Sequence, residues 1–276
     1  MHMQSLALIE QWPVPTAAAA VVLADGSVAG THGPDDHRFP LASVTKPLAA
    51  YAALLAVEEG AVELDEPAGP EGSTFRHLLA HTSGLAFDED RVTSPPGERR
   101  LYSNAGFERL GDHLAAATGI PFADYLREGV LDPLGMTATT LDGSPARDAV
   151  STLADLRQFA AELQAPRLLS ARTLTDATGV HFPGLSGVLP GFGHQKPNDW
   201  GLGFEIRGGK APHWTGERSS TRTFGHFGQS GTFLWVDPEA GAACVALTDR
   251  AFGPWAAEAW PAFTDSVLAE LARARG

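Results

Sequence analysis

Three short segments, far apart along the chain, hold residue types suited to acyl chemistry. Ser43-Val44-Thr45-Lys46 places a hydroxyl and an amine three residues apart. On a helix that spacing puts both on one face, with Cβ atoms roughly 5–6 Å apart, so that a base meets a nucleophile. A helix starting at Ser43 also aims a backbone N–H and a partial positive charge at an oxyanion forming on an attacked carbonyl. Two fixed positions in four recur by chance in 276 residues, so this segment alone reads first as a capped helix with a surface lysine. Tyr102-Ser103-Asn104 precedes a helical stretch. Tyr102 can lend its phenol to proton transfer where a nearby lysine lowers its pKa, and Asn104 can offer its amide to a substrate carbonyl; a core tyrosine and a helix-capping asparagine are the alternative. Phe224 to Gly231 carries His226, Gly228 and Gln229 at the start of a β-rich segment. Glycines at a strand edge let a ligand approach backbone N–H groups, with Gln229 as second oxyanion donor; taken alone, the segment is a glycine-rich bend with a satisfied histidine.

The elements that must position these residues follow from patterning. Ala17 to Leu23 is a short apolar run, and Asp25-Gly26 supplies a hairpin turn before Ser27 to Thr31. From Ser43 to Glu59 apolar residues surround much of a helix that Gly60 stops, which predicts a central, buried element. Pro47 fits only the first turn, so the helix begins within a residue or two of Ser43. Helical pieces follow at Phe75 to His81, Asn104 to Thr118, Phe122 to Leu131, Leu153 to Leu163 and Ala171 to Thr178. After Pro183 strands are expected at Leu202 to Arg207, Arg222 to His226, Thr232 to Val236 and Ala243 to Thr248, and a closing helix at Ala256 to Ala274. Strands at both ends with helices between them predict an α/β (α+β) fold: a largely antiparallel central sheet built from both chain ends and flanked by helices, plus a mostly helical lobe. The expected organisation is a single domain over 1–276, with an α/β lobe at about 1–60 and 180–276, a helical lobe at about 61–179, and a cleft between them.

In that order, Ser43-x-x-Lys46, Tyr102-x-Asn104 and His226-x-Gly228 resemble the three-motif signature of the class C β-lactamase, D-alanyl-D-alanine peptidase and family VIII esterase superfamily. The stretches His77 to Leu85, Pro133 to Met136, Trp200 to Phe204 and the strand pair around Asp237-Pro238 are similar too, so the resemblance runs from about Val21 to Asp249. It implies a β-lactamase/transpeptidase-like fold in which Ser43 attacks an ester or amide carbonyl and forms an acyl-enzyme, while Lys46 and Tyr102 relay the proton. The N–H groups of Ser43 and Gln229 would hold the oxyanion, and Asn104, His226 and Gly228 would bind substrate. Which of Lys46 and Tyr102 is the formal base stays open, because coupled groups share the proton.

The sequence departs from that pattern at His226, where many β-lactamases and peptidases carry a lysine that attracts a substrate carboxylate. An imidazole of ordinary pKa near 6.5 is mostly neutral at physiological pH and holds such a group less firmly. The expected activity is therefore an esterase-like serine hydrolase acting on a small-molecule acyl substrate, without a cofactor. An acyltransferase, a β-lactamase or D-amino-acid peptidase, and a non-catalytic scaffold are the alternatives.

Composition narrows the partners. A net charge of −13 argues against nucleic acid, and no apolar run approaches the roughly 18 residues of a membrane span. Met1 to Pro15 shows no export signal, so a cytoplasmic location is expected. Cys244 lies in an apolar run and reads as a buried small hydrophobe. His77 and His81 have the i, i+4 spacing of metal ligands but lack a zinc-protease glutamate and a third ligand, so no metal is expected. Trp200, Trp214 and Trp235 read equally as acyl-pocket walls or core, and Arg99-Arg100 as a solvated pair. The sequence does not reveal an oligomeric state.

Overall fold

A computed structural model describes residues 3–275. Strands β1 (Ala17–Leu23) and β2 (Val28–His32) form the expected hairpin. Two small antiparallel sheets follow, one from β3 (Phe39–Pro40), β4 (Thr140–Leu141) and β5 (Ala149–Ser151), the other from β6 (Gly187–Leu189) and β7 (Gly193–Gln195). The main sheet is completed by β8 (Glu205–Ile206), β9 (Phe224–Gly228), β10 (Thr232–Asp237) and β11 (Ala242–Thr248). Its order is β2-β1-β11-β10-β9-β8, antiparallel throughout. The two chain ends meet where β1 pairs with β11, Ala17 opposite Thr248 and Leu23 opposite Ala242.

Side chains alternate across a strand, and here both faces are apolar because both are covered. Ala18, Ala20, Val22, Leu234, Val236, Val245 and Leu247 face the core that contains the first helix, α1 (Thr45–Glu58). Ala19, Val21, Phe233, Trp235, Cys244 and Ala246 face a second core closed by the C-terminal helix Pro254–Arg275 and a 3-10 turn, Gln4–Gln11. That turn was not expected from the N-terminal sequence, yet its buried Leu6 and Ile9, followed by Trp12 just past its end, recur every third position, the 3-10 period. Full burial of a side chain such as Leu48 or Leu54 is worth roughly 1.5–3 kcal/mol over exposure, which explains why α1 sits at the centre.

The remaining helices are α2 (Phe75–Leu79), α3 (Asn104–Thr118), α4 (Phe122–Leu126), α5 (Leu153–Glu162), α6 (Ala171–Ala177) and α7 (Pro254–Arg275). Three expectations are corrected. The helix expected over Phe122 to Leu131 changes to a π turn at Arg127–Leu131. α2 stops at Leu79, two residues before His81, which has a left-handed φ of 56°. β8 keeps only Glu205–Ile206 of the expected strand because Gly203, at φ 85°, passes over α1 so closely that a Cβ would lie 2.1 Å from the Ala50 Cβ. Among the described residues no helix is long and apolar enough to cross a membrane.

Candidate active site

Ser43 sits in a 3-10 turn, Ala42–Val44, that leads directly into α1. The turn is held from behind. Ala42 has a left-handed φ of 45°, and the Thr232 hydroxyl on β10 donates to the Leu41 carbonyl at 2.9 Å. Gly228, at the end of β9, lies so close that a Cβ would be 2.2 Å from the Leu41 oxygen and 3.3 Å from the Ala42 Cβ. The glycine of the third motif therefore admits the nucleophile's own backbone rather than a ligand, and Gly228 itself is buried.

One turn along α1, Lys46 is fully buried with its Nζ 3.3 Å from Ser43 Oγ. Lys46 also donates to Asn104 Oδ1 at 2.6 Å and to the Ala146 carbonyl at 3.0 Å. Burial, reinforced by the Arg147 charge, pulls its pKa well below the ordinary lysine range, against Asp88 and Glu108. A neutral amine has two N–H groups, which go to the two carbonyl-type oxygens, leaving its lone pair for the Ser43 hydroxyl. Tyr102 approaches the same oxygen from the other side, its phenol donating to Ser43 Oγ at 2.7 Å. The expectation that a lysine would lower the tyrosine's pKa is not met: burial raises it, against the Ser43 hydrogen bond, so Tyr102 is a neutral phenol. Its ring lies 4.6 Å from Lys46 Nζ.

Asn104 does not cap α3. Ser103 does, its Oγ accepting from the Gly106 N–H at 2.9 Å. One Asn104 Nδ2 hydrogen goes to Asp88 Oδ1 at 2.8 Å, so the second is available for a substrate carbonyl. His81 is not paired with His77, whose Nδ1 accepts from the Thr74 N–H at 3.2 Å. Instead the His81 Nδ1 accepts from the Ser103 N–H at 3.1 Å and its ring lies 4.6 Å from the Tyr102 ring, locking the Tyr102 turn. Among the described residues no group of three or more His, Cys, Asp or Glu side chains could hold a metal ion.

A cavity of about 420 Å³ opens onto Ser43, Tyr102, Asn104, Trp200, His226 and Gln229. His226 is buried, and its Nδ1–H donates to the Phe227 carbonyl at 2.7 Å, so Nε2 carries the lone pair. Burial above all pushes its pKa down to about 3, so the imidazole is neutral, and its Nε2 is buried without a hydrogen-bond partner among the described residues. Of the three tryptophans considered, only Trp200 lines this cavity. Trp235 belongs to the second core, and Trp214 does too, its indole N–H donating to Glu205.

Three charged residues of the cavity lining carried no signal in the sequence: Asp88, Arg147 and Glu205. Arg147 Nη1 donates to Asp88 Oδ1 at 2.9 Å, next to the Ala146 carbonyl that holds Lys46. Glu205 is buried with Lys210 at 2.7 Å and His213 at 2.8 Å; burial opposes its charge, but those two partners outweigh it and hold the carboxylate well below its ordinary range. Arg100 is corrected outright. It is 1% exposed, and its guanidinium donates to the carbonyls of Ala80, His181, Phe182 and Asn198, tying together the segments that flank Tyr102 and Trp200. Arg99 is exposed, as expected.

A protein-family model described as Beta-lactamase matches residues 8–269. The chain belongs to that family. Within the β-lactamase family, a crystal structure of a Mycobacterium bovis protein described as a β-lactamase is 59% identical, with a TM-score of 0.96 and coverage of 97% of this chain and 99% of that one. Esterase EstB of Burkholderia gladioli is 34% identical over 149 residues, 37% of this chain and 38% of its own length. The D-alanyl-D-alanine-carboxypeptidase/endopeptidase AmpH of Escherichia coli K12 is 27% identical over 142 residues, 38% of this chain and 37% of its own. The chain thus matches about a third of the length of these curated relatives. Serine hydrolase chemistry belongs to the β-lactamase family as a class, and peptidase and esterase both occur within it.

Proposed function

We propose that this chain is an esterase-like serine hydrolase that works through an acyl-enzyme on Ser43. The observation that carries the proposal is the line Tyr102 Oη, Ser43 Oγ, Lys46 Nζ, with spacings of 2.7 and 3.3 Å, at the wall of a cavity. Neutral Lys46 takes the hydroxyl proton as Ser43 Oγ bonds to the carbonyl carbon. The N–H groups of Ser43 and Gln229 receive the oxyanion, and Asn104 holds the acyl portion. When the tetrahedral adduct collapses, the bond to the leaving oxygen breaks, Tyr102 gives that oxygen its proton, and the Lys46 ammonium restores the phenol. Water then adds to the acyl-enzyme by the same steps in reverse, and an alcohol or amine in its place would turn hydrolysis into acyl transfer.

The preference for neutral esters rests on His226. It lines the cavity as a neutral imidazole with its Nε2 buried, so a substrate carboxylate finds no cation at that position. β-Lactam hydrolysis is the second reading, favoured by the description of the Mycobacterium bovis relative. Turnover of p-nitrophenyl acetate and of nitrocefin separates the two: the ester is expected to be the better substrate by kcat/KM, with both activities lost in Ser43→Ala. Nitrocefin turnover far above ester turnover would overturn the preference, and ester turnover surviving in Ser43→Ala would overturn the mechanism.

A further inference from the structure

A second hollow, about 730 Å³, adjoins the cavity at Ser43. The two share Phe87, Tyr102 and Pro190, so a molecule bound at Ser43 can continue past the Tyr102 ring without leaving the surface. Its walls are largely apolar, Leu85, Ala86, Phe87, Leu101, Val188 and Pro190 among them, with Arg99 and His194 also lining it. Phe87 is 53% exposed and Val188 59%, unusual for large apolar side chains that face no protein partner. Neither wall hangs loose. The Phe87 carbonyl accepts from the N–H groups of Asn104 and Ala105, at 2.7 and 3.2 Å, as α3 begins. Val188 lies on β6, which is paired with β7, and the floor is closed by a parallel bridge between Arg100 and Gly187.

The groove begins at Tyr102, the proton donor to the leaving oxygen, whereas Asn104 and Arg147, on the acyl side, do not line it. Resting on the hydrolase reading above, we infer that this groove binds the leaving-group portion of the substrate, and that the substrate class is an ester whose alcohol carries an apolar chain. Full burial of one methylene multiplies affinity roughly fourfold, and a groove open on one side should yield about half that free energy, roughly twofold per methylene.

The test uses the full chain with two ester series: acetates of ethanol, butanol and octanol, and ethyl esters of acetic, butyric and octanoic acids. Acid release is followed by titration, and Ser43 labelling by a fluorophosphonate is measured alongside. The kcat/KM should climb roughly twofold per methylene with alcohol length and much less with acid length. Val188→Asp, a change at an exposed position, should flatten the alcohol series. A flat alcohol series, a slope that follows the acid instead, or a slope unchanged in Val188→Asp would overturn the groove assignment while labelled Ser43 leaves the hydrolase reading standing. Failure of Ser43 to label would overturn both.

Discussion

Burying an ammonium without a counter-ion costs several kcal/mol, and among the described residues no carboxylate lies within ion-pair distance of Lys46. Two carbonyl-type oxygens and one hydroxyl are its neighbours, a set that suits an amine with one free lone pair. Below its folded pKa Lys46 gains a proton and loses that lone pair, so kcat/KM for a neutral ester should fall as pH falls through that value. His226, held neutral down to about pH 3, should add no inflection of its own near pH 6.5. A pH–rate profile tests both points, and an inflection near 6.5 that disappears in His226→Gln would contradict the tautomer assigned to it. Tyr102→Phe removes only the phenolic hydroxyl; kcat should drop by about 10²–10⁴-fold with little change in thermal midpoint. That Ser43 stands beside Lys46 was legible from helical spacing, whereas Tyr102 and Asn104 joined them only through the resemblance, since nothing local ties them to α1. Asp88 and Arg147 were not legible, since a loop carboxylate and an arginine 59 positions away become partners only through the fold. Arg100 was misread for the same reason: nothing near it in sequence marks the four carbonyls it reaches.

At the scale of elements, the nucleophile's turn depends on the end of β9 packed behind it. Gly228→Ala would place a methyl against the Leu41 carbonyl, a backbone atom that cannot rotate away. The turn at Ser43 or the end of β9 must then shift, and a misplacement near 1 Å can cost about 10²-fold in rate. Kinetics and a melting curve on Gly228→Ala check this, with both kcat and thermal midpoint expected to fall. Glu205→Gln should destabilise the fold by about 3–5 kcal/mol, because it leaves Lys210 charged and buried without its carboxylate. In the wild type that carboxylate's folded pKa lies below its unfolded value, so its stabilising share is complete above pH ~4.5 and is lost as pH falls through the folded pKa. Denaturant titrations at neutral and acidic pH measure it: the gap between wild type and Glu205→Gln should narrow in acid. The bounds of α3 were legible as Asn104 to Thr118, although its cap is Ser103 and not the asparagine that offered itself. Boundaries were not legible where tertiary contact decides, as with Gly203 against Ala50, which cuts β8 short.

For the whole molecule, a single sheet separates two cores, and each of β1, β10 and β11 contributes side chains to both. Loss of either core strips one face of the strands that brace Ser43, so the chain should unfold in one transition. Tryptophan fluorescence and esterase activity should follow coincident denaturation curves, and activity lost well before fluorescence would show separable units. The antiparallel sheet made from both ends was legible in the order of strands and helices. The helix closing its second face was legible too, but the 3-10 turn beside that helix was not, because a short 3-10 turn leaves a weaker periodic trace than an α-helix. The account stands on one covalent event. Intact mass after exposure to a fluorophosphonate should show a single adduct on the wild type, much slower labelling in Lys46→Ala, and none in Ser43→Ala. An unmodified wild type, or an adduct that persists in Ser43→Ala, would contradict it.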